Sequence, residues 1–500
     1  MSLWTEIINA ALIGCERKSL SLNPRADKLG GLLAQLDQND REGALLGASV
    51  LVSHYERAGA LPLKDSQPLP EACDADDAPR CGDRAATHLA LMLRGEYQEH
   101  LQEWLAEAAA AGRRAPEELL PQLLELGRMR EWLREEIAQA LGARGRWLQS
   151  QNPSWNFVIG EIDETLWETG RLDQRMGFIG ALRKKDPARA RELLESSWEK
   201  ESPKDRSSFL SMFKKGLSRD DEAFLEWTLD DKRKEVRQEA ADLLARLPGS
   251  ALRQRMFERA RPLLTFKLSR LKRKEIEVKL PEKLDKSMQR DGVEPKPAHR
   301  AIGEKAWWLQ QTLGSIPPKV WSQESAWPIS ALIEAAKRSD WKDVLLDGWS
   351  QAAARSADAE WADALLAETF EQTDAVYLFY VLPPARQESF IIELLKKHPS
   401  LHTTKPAYKY IRSCRRQWGE ALSRAVIDIL LRHPSTAGSD NVWWPVFTND
   451  IGRLIDQSLI PETISRFTSA TNPPAQRAPA IEQFLNFIQF RHEMLKEIKQ

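Results

Sequence analysis

Apolar residues recur at helical spacing along almost the whole 500-residue chain, and convincing two-residue alternation is scarce. Each helix patterned in this way must bury one stripe against another helix, so the expected class is all-α. The pattern is clearest between Arg175 and Leu264. Asp186-Pro187 reads as an N-cap followed by proline in the first turn, opening a helix over 188–198 that carries Leu193, Leu194 and Trp198. Further helices are expected over 206–217 and 221–229. Another follows Asp230-Asp231-Lys232-Arg233-Lys234-Glu235-Val236-Arg237 and carries Ala240, Ala241, Leu243, Leu244 and Leu247 up to Pro248.

This last stretch resembles the second helix of a HEAT-type repeat, in which an Asp precedes a Val-Arg pair and small and Leu positions follow at helical spacing. Asp186 and Asp231 stand 45 positions apart, inside the roughly 40–47 of HEAT and armadillo units. Asp231, Val236 and Arg237 are therefore structural candidates, the Asp and Arg tying neighbouring helices together. A second repetition lies downstream, where Glu393-Leu394-Leu395-Lys396-Lys397-His398-Pro399-Ser400 recurs as Asp428-Ile429-Leu430-Leu431-Arg432-His433-Pro434-Ser435, 35 positions later. Each histidine precedes a proline at a helix end, where a cation complements the helix dipole, so the two read as caps and not as a metal pair.

The organisation expected is a HEAT-like α-solenoid of helical hairpins. N-terminal helices occupy 1–60, with Asp40 capping a helix whose stripe is Leu45, Ala48, Val52 and Tyr55. A Pro-rich acidic linker follows over 61–84, in which Asp74, Asp76 and Asp77 read as solvated. Helical hairpins with HEAT-like repeats fill 85–265, with boundaries at Gly112, Pro116, Pro121 and Gly127. A basic, β-like insertion spans 266–300, because Ile276, Val278 and Leu280 alternate with Glu277 and Lys279 in the manner of a short β-hairpin or extended arm. A C-terminal helical repeat region covers 301–500.

Composition narrows the function. With 72 Lys+Arg against 73 Asp+Glu, the chain has no global charge to draw it to nucleic acid or an anionic membrane. Four cysteines in 500 residues cannot build a disulfide framework, which fits a reducing compartment. Cys73 and Cys81 are too widely spaced for a well-specified zinc site. No apolar run reaches the ~20 residues a membrane span needs. The Leu12-Ile13-Gly14-Cys15 stretch looks like a lipoprotein cleavage site, but no basic residue precedes it and a core-facing helix is expected there. Walker A, GxGxxG, HExxH, EF-hand and GxSxG signatures are all absent from the sequence, so no catalytic residue, metal or cofactor is expected.

Two candidate surfaces stand out. The tandem pairs Trp307-Trp308 and Trp443-Trp444 place neighbouring rings about 100° apart on a helix, so one of each pair is a candidate anchor for a protein partner. The stretch around Tyr408, Arg412, Arg415 and Arg416 is basic with interleaved aromatics, a candidate for phosphates and stacked bases. Its Cys414 sits among arginines that would lower a thiol pKa.

Several stretches together resemble an uncharacterised bacterial family of HEAT-like helical proteins of the domain-of-unknown-function kind. They are Trp4-Thr5-Glu6 to Gly14 with Glu16-Arg17, Gly142 to Leu148 with Asn152-Pro153 and Trp155, the Asp230 to Arg237 repeat, Arg290-Asp291-Gly292, and Gly303 to Leu309. The resemblance implies a cytoplasmic protein often encoded beside a MoxR-type AAA+ ATPase, a von Willebrand A-domain protein and a SWIM zinc-finger protein, with no catalytic residues to carry over. The function expected is a non-enzymatic scaffold or adaptor for protein partners, among them the AAA+ ATPase and the von Willebrand A protein. The alternative is a HEAT-like DNA-binding protein or DNA glycosylase, with Arg412, Arg415, Arg416 and 272–274 on one basic groove.

Overall fold

Polar caps and tight turns break the apolar periodicity into short helices, and, among the described residues, one antiparallel pair of strands interrupts them. A computed structural model describes residues 3–20, 27–59, 70–76, 78–155, 165–297, 302–402, 404–414, 416–432, 443–469 and 478–499. The chain divides into two compact units, Met1–Ala72 and Cys73–Gln500.

In the first unit, helices Leu3–Ile13, Lys28–Leu33 and Arg41–Gly59 surround a small core of Ile7, Leu29, Leu33, Ala48 and Val52. Asp27 and Asp40 cap the second and third helices by accepting from the amides of Gly30 and Gly43 at 2.8 and 2.9 Å. The buried stripe is narrower than its sequence reads, because Tyr55 is exposed.

The second unit contains the repeat-like helices. Asp186 accepts from the amide of Arg189 at 3.0 Å, with Pro187 first in helix Pro187–Ser197. Ser202 caps helix Pro203–Ser211, which starts earlier than its pattern predicts and ends early in a 3-10 turn. Helices Glu222–Thr228 and Lys234–Arg246 follow. Arg183 and Asp221, both fully enclosed, lock these turns together: the guanidinium meets the carboxylate at 2.7 and 2.9 Å and also donates to the carbonyls of Lys215, Gly216 and Pro187. Gly216 is required there, since its φ is +61° and a Cβ would lie 2.7 Å from the Arg183 carbonyl oxygen.

Strands β1 (Leu264–Leu268) and β2 (Lys274–Val278) form the expected hairpin, with Leu264 opposite Val278 and Phe266 opposite Ile276. Ile276 is buried in the same hydrophobic cluster that runs from Trp167 to Ile488, so the hairpin is packed into the helical core.

Among the described residues, one of the contacts between elements distant in sequence joins nearly the two ends of the second unit. The last described helix, Ala478–Ile498, packs against helices Asp83–Arg94 and Leu101–Ala110, burying Phe490, Met494, Leu495 and Ile498 among Leu89, Met92, Trp104 and Leu105. Arg491, fully enclosed, grips Glu103 with two-pronged hydrogen bonds of 2.8 Å, and Phe487 packs on the buried His100 ring at 4.1 Å. Burial would raise the Glu103 carboxyl, but His100 and Arg491 outweigh it and hold it below the usual carboxylate range.

Two sequence expectations are corrected. Gly127 lies inside helix Leu120–Met129, where its carbonyl accepts from Arg134 at 2.9 Å, because flanking Leu123, Leu124 and Leu126 supply enough apolar packing to outweigh one glycine. Asp76 is not solvated: it pairs with Arg114 at 3.3 Å and accepts from the Ala143 amide, at the start of helix Gly142–Gln151. Asp77 lies outside the described residues.

Candidate functional site

Helix Lys342–Ser356 carries two contrasting faces. Val344, Leu345, Trp349, Ala352 and Ala353 are buried, and Trp349 meets Trp361 edge-to-face at 5.4 Å. Asp347, Ser350, Gln351, Ala354 and Arg355 instead recur at spacings of three and one along the other face and line a cavity of about 810 Å³. Close packing of a second helix, Glu304–Leu313, brings Gln310 to the same cavity. Gly348 permits that approach, since a Cβ there would lie 2.9 Å from the Leu313 Cβ. Arg246 enters from the end of helix Lys234–Arg246. The turn after helix Ala359–Thr369 and the short helix Val376–Val381 complete the wall with Asp374, Tyr377 and Tyr380.

The polar lining is incompletely satisfied. Ser350 Oγ is buried without a hydrogen-bond partner among the described residues. The side chain of Gln310, only 7% exposed, has none either, nor do Asp347 and Gln351. Buried polar groups in folded proteins are nearly always paired with protein, water or ligand, so the buried Ser350 Oγ, with the Gln310, Asp347 and Gln351 side chains beside it on the same cavity, makes this the candidate site. Burial first, and the nearby Asp343 and Asp374 carboxylates second, push the Asp347 carboxyl up to about 6. The cationic side is self-contained: Asp242 accepts from Arg355 Nε at 3.0 Å and Arg246 Nε at 2.7 Å, and Arg355 also donates to the Gly314 carbonyl at 2.9 Å. Burial would raise Asp242, but Arg355, Arg246 and Lys214 outweigh it and hold its carboxyl low. Tyr377 and Tyr380 stand at the rim, 64% and 43% exposed.

The residues singled out from sequence lie elsewhere. Asp231 accepts from Arg206 at 2.8 Å across to helix Pro203–Ser211 and from the Arg233 amide at 2.9 Å, while Arg237 donates to the Asp231 carbonyl at 2.7 Å; Val236 is fully buried. Trp308 is buried, its indole donating to the Pro295 carbonyl at 2.9 Å, and Trp307 is half-buried against the same core. Trp443 and Trp444 open helix Trp443–Leu454, and their side chains lie outside the described residues, as do Arg415 and His433. Arg412 pairs with Asp450 at 3.6 Å and lies over the half-buried Tyr408 ring at 6.0 Å, and Arg416 pairs with Glu388 at 3.2 Å. Cys414 is buried, which pushes its thiol up to about 11 and outweighs the lowering effect of neighbouring Arg416. His398 caps helix Pro384–Lys397 through its backbone amide, which donates to the Leu394 carbonyl.

Sequence reasoning passed over the cavity because its residues come from four separated segments. A signal was present in the Trp-Trp-Leu-Gln-Gln-Thr-Leu run of 307–313, where Gln310 falls among buried Ala306, Leu309 and Leu313, and in the polar face of 347–355.

Residues 6–498 match the family described as "Family of unknown function (DUF5691)". The chain belongs to this family. Comparisons with curated proteins and with solved structures return no match. Among the described residues, no helix of this DUF5691 protein is long and apolar enough to cross a membrane, and no cluster of His, Cys, Asp and Glu has the arrangement to hold a metal ion. All four cysteines are free.

Proposed function

We propose that this DUF5691 protein is a non-enzymatic scaffold or adaptor built on HEAT-like stacked helix hairpins, acting in the cytoplasm on protein partners. The observation that supports it is the cavity beside helix Lys342–Ser356. Its unpaired side chains are hydrogen-bonding groups on rigid helices, and its rim offers two exposed tyrosines, a residue type enriched at interfaces. Such a site grips a side chain or ligand by complementarity. The identity of the partners, a MoxR-type AAA+ ATPase and a von Willebrand A-domain protein, rests on the family resemblance alone.

The alternative reading, a HEAT-like DNA-binding protein or DNA glycosylase, draws on Tyr408, Arg412, Arg415 and Arg416. Carboxylates already engage Arg412 and Arg416, which lowers their capacity for phosphate. The deciding experiment is purification of the tagged full-length protein from its native host, with and without nuclease, followed by mass spectrometry. Recovery of the AAA+ ATPase and the von Willebrand A protein after nuclease supports the scaffold. Nuclease-sensitive recovery of nucleic acid alone refutes it in favour of the alternative.

A further inference from the structure

We propose that the cavity beside helix Lys342–Ser356 binds a guanidinium group, the arginine side chain of a partner protein, with Asp347 as counter-ion and Gln310, Ser350 and Gln351 as hydrogen-bond acceptors. This deepens the scaffold reading and rests on it for the source of the arginine. The unpaired Gln310, more than nine-tenths buried and lining the cavity, shows that the acids there are not a solvated surface cluster.

The chemistry of the lining selects the ligand. Asp347 is a partly buried carboxylate with no ion-pair partner among the described residues, and the acids Asp343 and Asp374 lie near it. The facing cations, Arg246 and Arg355, are drawn onto Asp242 and, for Arg355, the Gly314 carbonyl. The charge left to a ligand at the cavity is therefore negative, which suits a cation. A carboxylate, two amide oxygens and a hydroxyl oxygen all accept, which suits the five N–H donors of a planar guanidinium better than the three of an ammonium. Tyr377 and Tyr380, at spacing i, i+3 on helix Val376–Val381, put aromatic rings at the mouth where a guanidinium or its stem can stack. A volume of about 810 Å³ exceeds one guanidinium and leaves room for flanking peptide.

The test is calorimetric titration of the full-length protein with three acetylated, amidated Gly-Xaa-Gly tripeptides in which Xaa is arginine, lysine or citrulline, and with free arginine. The expected result is saturable binding of the arginine peptide, at least about tenfold weaker binding of the lysine peptide and none of neutral citrulline. Asp347→Asn should abolish binding, and Gln310→Leu should weaken it about tenfold, roughly the value of one hydrogen bond to a charged group. Glu334→Gln, on a neighbouring helix and outside the cavity, should change nothing. Affinity should fall about tenfold from pH 7.5 to pH 5, as Asp347 takes up a proton. Free arginine binding more tightly than the capped peptide would replace the partner by a small metabolite. Equal binding of lysine and arginine, no saturable binding, or binding indifferent to Asp347→Asn would overturn the proposal. If the peptides fail while the AAA+ ATPase and von Willebrand A protein still co-purify, the cavity assignment falls and the scaffold stands.

Discussion

Replacing Arg491 by methionine tests whether the closure between the last helix and the first hairpins of the second unit is held as the geometry implies. Methionine keeps the stem but deletes a guanidinium that donates to both Glu103 oxygens and to the Gly452 and Ile455 carbonyls. Glu103 would retain His100, 3.7 Å away, and Gln417. Removing one partner of a buried ion pair costs about 3–5 kcal/mol, mostly from the stranded charge. Burial of Phe487, Phe490, Met494, Leu495 and Ile498 contributes on the order of 10 kcal/mol to docking, at about 1.5–3 kcal/mol each. The helix should therefore stay docked yet open about 10²–10⁴ times more often. Native-state hydrogen exchange reads this directly: amides over 484–498 should exchange faster by that factor, and those of helix Glu304–Leu313 should not. The double variant Glu103→Gln/Arg491→Met should recover more than half of the loss. A rise below tenfold, or one equal in both segments, would refute the argument that this pair secures the contact.

The Asp347 carboxyl, pushed up to about 6, makes the folded state bind more protons than the unfolded chain between pH 4 and 6, so stability should fall as pH rises through that window. Asp347→Asn should remove this slope and stabilise the protein by about 1 kcal/mol at pH 7, discounted for a partly open site; urea midpoints at pH 4.5 and 7 check it, and an unchanged slope refutes it. Asp231→Ala removes one Arg206 partner, leaving the Trp198 carbonyl and Glu199, and unties the entry to helix Lys234–Arg246; it should cost about 1–2 kcal/mol in urea unfolding, whereas Lys232→Ala one residue away should cost under about 0.5 kcal/mol.

Local chemistry made much of the fold legible. Asp186-Pro187 marked a helix start because a capping carboxylate and a proline in the first turn act on their own backbone. Ile276 and Val278 marked a strand because a period of two is a local property. At Cys414 local chemistry is not enough: its sequence neighbours are arginines, but its spatial neighbours exclude water, and desolvation outweighs their charge. Asp76 misled in the opposite direction, since its partners Arg114 and Ala143 are 38 and 67 positions away.

Periodicity, caps and turns thus determined that this chain is helical, where most helices begin, and that a β-like segment interrupts them, because those signals act within a turn or two of their own residues. Only the tertiary structure decided that the last helix closes on the first hairpins and that Gln310, Asp347, Ser350 and Gln351 share a cavity with Asp374 and two tyrosines. Arg491 reaching Glu103 depends on a contact 388 positions apart, and the meeting of Gln310 with Asp347 depends on a close helix crossing at Gly348. Which polar groups end up buried and unpaired is set by packing between helices, and no local spacing along one helix carries that information.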